Sequence, residues 1–136
     1  MARHKFRSTL LRLIEAGQLT RLALVAPLRE RGLEPGDDIV LSEVAAQPGR
    51  DAAGLAEALG LSAEDLQPML DRLTARDLVA TAEEGVVLTE RGIRLSEALA
   101  AASSGIEAEL LAGLGGKHRK SLDRSLRAII STLARQ

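Results

Sequence analysis

The sequence predicts a mainly α-helical protein with a small β-hairpin wing, that is, a winged helix-turn-helix unit flanked by dimerisation helices. Apolar residues make up 46% of the 136 residues and recur at helical intervals, and Phe6 is the only aromatic residue, which favours helices over sheet. Two short apolar runs, at 78–81 and 86–88, are separated by Ala82–Gly85 and predict the hairpin. The chain is too short for two independent cores, so these elements should form one integrated domain.

An apolar stripe near the N-terminus predicts a long first helix. Its members, at three- and four-residue intervals, are Phe6, Leu10, Leu13, Ile14, Gly17, Leu22, Val25 and Leu28. Pro27 should kink this helix because it lacks an amide proton, and Gly32 should cap its end. Segment 1–36 is therefore interpreted as the N-terminal dimerisation helix.

A short second helix is predicted from about Asp38 to Ala46, with Asp37 or Asp38 as its N-cap. Its inward residues should be Ile39, Val40 and Val44. This helix opens the segment 37–92, which is interpreted as the winged helix-turn-helix.

The third and fourth helices form the predicted helix-turn-helix. Asp51 should cap the third helix, which Gly60 ends in a left-handed conformation. Ser62–Asp65 has the form of a capping box, so a fourth helix should begin there and end near Arg76. Its inward residues should be Leu66, Met69, Leu70 and Leu73. Two helices joined by a short turn that contains glycine are typical of this motif.

Segment 93–136 is interpreted as the C-terminal dimerisation helices. Thr89 should cap a long helix with the stripe Leu95, Leu99, Ala102, Ile106, Leu110 and Leu114. Gly115-Gly116 should break it, and a last helix over about 117–135 carries the stripe Leu122, Leu126, Ile129, Ile130 and Leu133. These helices are too apolar to be covered by one small domain, which indicates pairing with a second copy.

Several function classes lack the residues they need. The absence of Cys excludes disulfides and thiolate zinc sites, and His4 and His118 have no metal-ligand partners at suitable spacing. No nucleophile–base arrangement or phosphate-binding glycine loop is visible, so we expect no enzyme, cofactor or metal. No apolar stretch reaches the roughly 18 residues of a membrane span, and no signal region is visible, so we expect a cytoplasmic protein without a membrane partner.

Charge is distributed unevenly along the chain. Residues 1–36 hold seven Lys and Arg against three Glu, for a net charge of +4, and residues 92–136 hold seven against four, for +3. Residues 37–91 hold four Arg against twelve Asp and Glu, for a net charge of −8. The basic run 3–7 is a candidate arm for nucleic acid, or simply a solvated end.

Three segments of the predicted winged helix resemble the MarR family of bacterial transcription regulators. They are Leu59-Gly-Leu-Ser62, Leu70-Asp-Arg-Leu-Thr-Ala-Arg76-Asp-Leu-Val79 and Leu88-Thr-Glu-Arg-Gly92. With the order of the elements, the resemblance covers nearly the whole chain. It implies a homodimer with interleaved first and last two helices, a winged helix on each side and a ligand pocket where the two regions meet.

The residues expected to face DNA depart from the pattern of that family. Where the family carries Ser, Thr and Arg at the start of the recognition helix, this chain carries Ala63, Glu64, Asp65, Gln67 and Pro68. Carboxylates favour a helix N-terminus but repel the phosphate backbone. The wing has only four residues, including Glu83-Glu84, and Asp77 replaces the usual glycine after the recognition helix.

Six residues are the candidate DNA contacts, namely Arg50, Ser62, Gln67, Arg72, Arg76 and Arg91. Gln67 should donate to a base edge, and the arginines should hold phosphates. The alternative is that the arginines are ordinary surface charges, with Asp71 in ion pairs with Arg72 and Arg76.

We therefore expect a homodimeric transcription regulator that binds double-stranded operator DNA through its fourth helix and responds to a small-molecule effector. The two-fold arrangement predicts half-sites about one helical turn apart. The alternative is a dimer of the same fold that has lost DNA binding and acts as a protein-interaction module. The charge of −8 on residues 37–91 motivates that alternative.

Overall fold

The computed structural model describes residues 8–135. In that range it contains six helices and a two-stranded antiparallel sheet. The elements are α1 (Thr9–Glu30), α2 (Asp37–Ala46), α3 (Ala52–Leu59), α4 (Ala63–Ala75), β1 (Val79–Ala82), β2 (Gly85–Leu88), α5 (Glu90–Leu110) and α6 (Gly116–Ala134). The mainly α-helical fold class with a hairpin wing is confirmed. By its internal contacts the chain divides into two compact units, between Ala102 and Ser103.

Helix α1 is the long first helix that the apolar stripe predicts. It begins after Ser8, whose side chain accepts a hydrogen bond from the N–H of Leu11 at 3.1 Å. Pro27 lies inside the helix, and Gly32 follows its end with a φ of 72°, as a left-handed glycine should. Phe6, the first residue of the predicted stripe, lies outside the described residues.

Helix α2 differs from its prediction at its start and on one face. Its N-cap is Gly36, with a φ of 102°, and neither Asp37 nor Asp38 occupies that position. The buried face consists of Asp37, Val40, Leu41 and Val44, which have the spacing of one helical stripe. The prediction that Ile39 faces inward is wrong, because this residue lies off that stripe and is 48% exposed.

Helices α3 and α4 form the helix-turn-helix, with the predicted caps. The Asp51 carboxylate accepts the N–H of Gly54 at 2.7 Å, and Gly60 ends α3 with a φ of 68°. The Ser62 hydroxyl accepts the N–H of Asp65 at 3.1 Å and so begins α4. The buried residues of α4 are Leu66, Leu70 and Leu73, while Met69 is partly buried.

The wing is shorter than the predicted four-residue loop. Strands β1 and β2 pair up to the residues on either side of Glu83-Glu84, so the turn contains only these two residues. The N–H of Val86 also donates to the carbonyl of Arg50 at 2.8 Å, which ties the hairpin to the segment before α3. Gly85 has a φ of 106°, and a Cβ there would collide with that segment, so the turn requires glycine.

Residues 88–92 join the wing to α5 through contacts with the end of α4. The Thr89 hydroxyl accepts the N–H of Gly92 at 3.0 Å and donates to the carbonyl of Asp77 at 2.5 Å. A Cβ on Gly92 would collide with the carbonyl oxygen of Leu78. The Leu-Thr-x-x-Gly segment therefore specifies close packing at this junction.

The first unit has a closed hydrophobic core between the end of α1, helices α2 to α4, the hairpin and the start of α5. Its largest fully buried apolar side chains include Leu28, Leu33, Leu41, Leu55, Leu66, Leu73 and Leu78. Because α2 to α4 contribute to one core, the position of α4 is fixed by packing on its inner face.

The second unit, from Ser103, contains the end of α5 and the whole of α6. Helix α5 ends at Leu110, before the predicted Leu114, and Gly115 is the N-cap of α6. No residue of α6 is buried within the described chain. Among residues 8–135, no helix combines the length and the apolar character needed to cross a membrane.

Candidate nucleic-acid interface

The outer face of α4 is the surface that a helix-turn-helix protein would present to DNA. Ser62 lies at its first turn as the N-cap, with Glu64 and Asp65 beside it, all exposed. The Gln67 amide donates to the Asp71 carboxylate at 2.8 Å, so the predicted base-reading side chain is held along the helix. This face is acidic, and its one side-chain amide, that of Gln67, could donate to a base edge in place of Asp71.

Arg72 is held by a buried carboxylate of α2. Its guanidinium lies 2.5 Å from the Asp37 carboxylate, which also accepts the N–H of Glu34 at 2.9 Å. Asp37 is 1% exposed, whereas the Arg72 side chain is 42% exposed. The pairing with Asp71 that the sequence suggested is replaced by this one, because Asp37 lies on the buried face of α2 and Arg72 reaches it from α4.

Arg76, at the end of α4, donates to the backbone carbonyls of Gly32 and of Arg31, the latter at 3.1 Å. These contacts satisfy carbonyls at the end of α1, and they fix the end of α4 to the α1–α2 connection. Arg50 donates to both the carboxylate and the backbone carbonyl of Glu43, at 2.7 and 3.0 Å, and its side chain is 17% exposed. Both arginines therefore have roles within the fold.

Arg91, the last candidate, lies in a different place. It lines a cavity of about 590 Å³ together with Arg31, Arg76 and Arg94, against Leu78 and Leu95, and we call this the arginine cavity. The structure thus brings Arg76 and Arg91 together at one end of α4. Ser62 lies at the opposite end of that helix, about 20 Å away along its axis.

A second ion pair joins α1 to α2. The Arg21 guanidinium donates to both oxygens of Asp38, at 2.9 and 3.1 Å. Burial alone would raise the pKa of Asp38, but the hydrogen bonds and charge of Arg21, with the amide of Gly36, hold it below its ordinary value. The same hydrogen bond raises the pKa of Arg21. Sequence reasoning missed both acidic partners, because Asp37 and Asp38 look like helix-capping residues.

An apolar groove of about 520 Å³ lies between the end of α2, β2 and α5. Its lining includes Val44, Pro48, Val87, Ile93 and Ala100, with Ser96 and Glu97 as polar members. The Ser96 hydroxyl is buried, and no described residue hydrogen-bonds to it. A small molecule with an apolar body and one polar group would match this lining. Within residues 8–135, no group of three or more His, Cys, Asp or Glu could hold a metal ion.

The terminal helices carry apolar surfaces that no other part of residues 8–135 covers. On α6, Ile130 and Leu133 are 63% and 61% exposed. On α1, Leu10 and Leu22 are 64% and 66% exposed. Exposed stripes of this length mark a surface for another protein chain.

Comparisons with known proteins agree with this architecture. A family model described as a helix-turn-helix family matches residues 23–136. CouR of Rhodococcus jostii RHA1, solved with p-coumaroyl-CoA, superposes with a TM-score of 0.81 at 21% identity, over 94% of this chain and 92% of that chain. No curated protein matches the chain in sequence.

Two further solved structures have similar values. MarR of E. coli in its reduced form has a TM-score of 0.79 at 23% identity, over 95% of this chain and 98% of that chain. A MarR family protein of Mycobacterium tuberculosis in complex with DNA has a TM-score of 0.78 at 24% identity, over 90% of this chain and 97% of that chain.

These likenesses, with the helix-turn-helix and its hairpin, define the class of the protein: a winged helix of MarR type. The chain belongs to the helix-turn-helix family whose model spans residues 23–136. The family resemblance seen in the sequence is confirmed at the level of the fold.

Proposed function

We propose that this protein is a homodimeric, cytoplasmic transcription regulator that binds double-stranded operator DNA through α4. The observation that carries the proposal is the exposed α4 of a complete winged helix-turn-helix, set between helices with uncovered apolar stripes. A MarR family protein of the same fold was solved in complex with DNA, which supports DNA as the partner. Fold alone does not assign function, so the proposal rests on this site and its test.

The proposed dimer forms through α1, α5 and α6. Among residues 8–135 the stripe on α6 has no buried member, and exposed apolar residues also occur at Leu110 on α5 and Leu19 on α1. A second copy supplies an identical stripe, and a two-fold axis then makes each surface its own complement. Two α4 helices related by that axis would meet half-sites about one helical turn apart.

The proposed DNA contacts follow the two ends of α4. Ser62 and Gln67 lie on the half of α4 that would enter the major groove, and Gln67 would give up its bond to Asp71 for a base. Arg72 would keep its bond to Asp37 and use its exposed donors to bind a phosphate. Arg50, which is bound to Glu43, would contact phosphate only through the small exposed part of its side chain. The contacts proposed for Arg76 and Arg91 would lie at the other end of the helix.

The test is fluorescence anisotropy with the DNA upstream of the gene, measured against salt concentration. A regulator should bind with an affinity that falls steeply as salt rises, because each neutralised phosphate releases counterions. Scrambled DNA of the same length and composition should bind at least about 1,000-fold more weakly at physiological salt. Binding that is absent, or equal on both duplexes, would remove this proposal.

A charge variant sharpens the same test. Glu64→Gln with Asp65→Ser removes two negative charges from the start of α4, and it leaves the cap intact because Ser62 bonds the backbone N–H of residue 65. Operator affinity should rise about tenfold or more at low salt. The matched control, Glu107→Gln with Glu109→Gln on α5, makes the same charge change and should leave affinity within about twofold.

A second candidate function is favoured by the acidity of the same surface. Glu64, Asp65 and Asp71 lie on α4, and Glu83-Glu84 forms the tip of a wing too short to enter a groove. In this version a basic protein partner binds where DNA would. The charge variant separates the two functions, since it should weaken a basic partner and strengthen DNA.

A small-molecule effector is proposed for the apolar groove. Its lining connects α2, the wing and α5, so that an occupant would contact the element that positions the wing. CouR was solved with p-coumaroyl-CoA, which supports effector binding by proteins of this fold. Replacement of Ala100 by Leu should fill the groove and abolish the response of DNA binding to an effector, while basal DNA affinity stays within about twofold.

A further inference from the structure

The arginine cavity holds more positive charge than its carboxylates neutralise. Arg31 lies 4.0 Å from the carboxylate of Glu30, and Arg94 lies 3.4 Å from that of Glu90. Both carboxylates are highly exposed, at 74% and 88%, so each contact is a weak surface pair. Even if Glu30 and Glu90 each neutralise one arginine completely, two of the four positive charges remain unbalanced.

Arg76 and Arg91 carry the remaining charge. The guanidinium of Arg76 donates to backbone carbonyls at the C-terminal end of α1, which supply only the partial negative charge of a helix end. Arg91 is exposed, and it has no ion-pair partner among residues 8–135. Guanidinium groups are charged at every pH a protein meets, so this excess cannot be relieved by deprotonation.

Other arginines of the same unit have close carboxylate partners. Arg21, Arg50 and Arg72 each lie within 2.9 Å of a carboxylate. The winged helix has twelve acidic residues available over positions 37–91, yet none of them lines the arginine cavity. Although carboxylates are abundant in this segment, the cavity keeps an excess of two positive charges. This excess favours the binding of an anion from solution.

The shape of the cavity constrains that anion. Its volume of about 590 Å³ lies in the range of small-molecule sites. Leu78, Leu95 and Ala98 form apolar wall beside the arginines, so the site suits a molecule with an apolar body as well as a charged group. Planar guanidinium groups match the paired oxygens of a phosphate or carboxylate, and a dianion would balance the excess charge.

The position of the cavity favours a small molecule over DNA. Helix-turn-helix proteins contact base edges with the N-terminal residues of the recognition helix, which here means the end at Ser62. The cavity lies beyond the opposite end of α4, where Arg76 meets the connection after α1. A ligand there would contact α5 and the segments that directly follow α1 and α4.

We propose that the arginine cavity binds a phosphate monoester with an apolar body, whose dianionic headgroup is held by Arg91 and Arg94 beside Arg31 and Arg76. The site is distinct from the apolar groove, whose lining carries no arginine. The proposal does not depend on DNA binding, so its test contains no DNA in its first part.

Isothermal titration with phenyl phosphate tests the proposal directly. The full chain should bind it saturably at pH 7.5, and more tightly than inorganic phosphate, which lacks the apolar body, or benzoate, which carries one charge. Binding should weaken at least threefold at pH 5, because the second ionisation of a phosphate monoester has a pKa near 6.

Variants locate the site. Arg91→Gln with Arg94→Gln removes two exposed side chains and should weaken phenyl phosphate binding at least tenfold, with an unchanged circular dichroism spectrum. Arg29→Gln, an exposed arginine in the last turn of α1 that does not line the cavity, should change binding less than twofold. Equal affinity in both variants, or no saturable binding up to about 10 mM, would overturn the proposal.

A second arm distinguishes a small anion from the phosphate backbone of DNA. If Arg91→Gln with Arg94→Gln weakens operator binding and flattens its salt dependence but leaves phenyl phosphate binding unchanged, the arginines contact DNA and the proposal is wrong. If Arg94→Gln alone, at a cavity residue outside the proposed DNA contacts, weakens phenyl phosphate binding while operator affinity without the ester stays within twofold, the cavity is a small-molecule site. Failure of operator binding in every protein would count against the proposed function alone.

Discussion

The winged helix and the terminal helices use the same apolar residues in opposite ways. In the winged helix, Leu55, Leu66 and Leu73 are at most 1% exposed and close a core of their own. On α6, no member of the apolar stripe is buried among residues 8–135, and Ile130 and Leu133 are 63% and 61% exposed. Apolar spacing therefore predicts which face of a helix should be buried, but it does not predict whether the same chain or another chain covers that face.

The largest expected effect is a loss of stability caused by a substitution inside the winged helix. Gly92→Ala should destabilise the protein by about 3 kcal/mol or more, because its Cβ would collide with the backbone oxygen of Leu78, which cannot move like a side chain. Urea denaturation measures the change. Gly105→Ala, also within α5, meets nothing within 4 Å and should be neutral or stabilising by up to about 1 kcal/mol. Equal stability of the two variants would contradict the close packing at residue 92.

A smaller effect tests the ion pair that positions α4. Asp37→Asn should cost about 2 kcal/mol, because it leaves Arg72 without the charge that its buried partner supplies. The matched control is Asp123→Asn, whose partner Arg127 lies at 2.9 Å on the exposed surface of α6, and it should cost less than about 0.5 kcal/mol. Thermal unfolding of both variants provides the comparison, and similar losses would show that burial of Asp37 adds nothing.

Local features of the fold were predictable from sequence, and long-range partners were not. The caps at Asp51, Ser62 and Thr89 involve residues three positions apart, so their patterns are visible in the chain. Asp37 pairs with a residue 35 positions away, and nothing in its neighbourhood distinguishes that role from a helix cap.

The candidate site divides in the same way. Ser62 and Gln67 follow from the position of the recognition helix, which its N-cap pattern and apolar periodicity fix. The arginine cavity draws on the segments that follow α1 and α4 and on α5, so only the folded chain brings Arg31 to Arg91. The two-residue turn of the wing was not predicted, because the pairing of the residues on either side of Glu83-Glu84 depends on strand register.

The smallest effect is a pH dependence in the contact between α1 and α2. The folded pKa of Asp38 is below its unfolded value of about 3.9, so the Arg21–Asp38 pair stabilises the fold fully above about pH 5. That contribution is lost as the pH falls through the folded pKa. Both side chains are partly exposed, so the amount should be about 1 kcal/mol or less. The difference in unfolding free energy between the natural chain and Asp38→Asn should therefore be constant from pH 5 to 8 and shrink below pH 4.

Sedimentation equilibrium of the full chain tests the central claim, that the terminal helices are completed by a second copy. A dimer should sediment at twice the 14.4 kDa of one chain at micromolar concentration. Ile130→Asp with Leu133→Asp should shift the mass toward one chain, and Lys120→Asp with Arg124→Asp on the same helix should retain the dimer if the apolar stripe carries the association. A well-folded natural chain that sediments at 14.4 kDa throughout the micromolar range would show that no second copy covers the terminal helices.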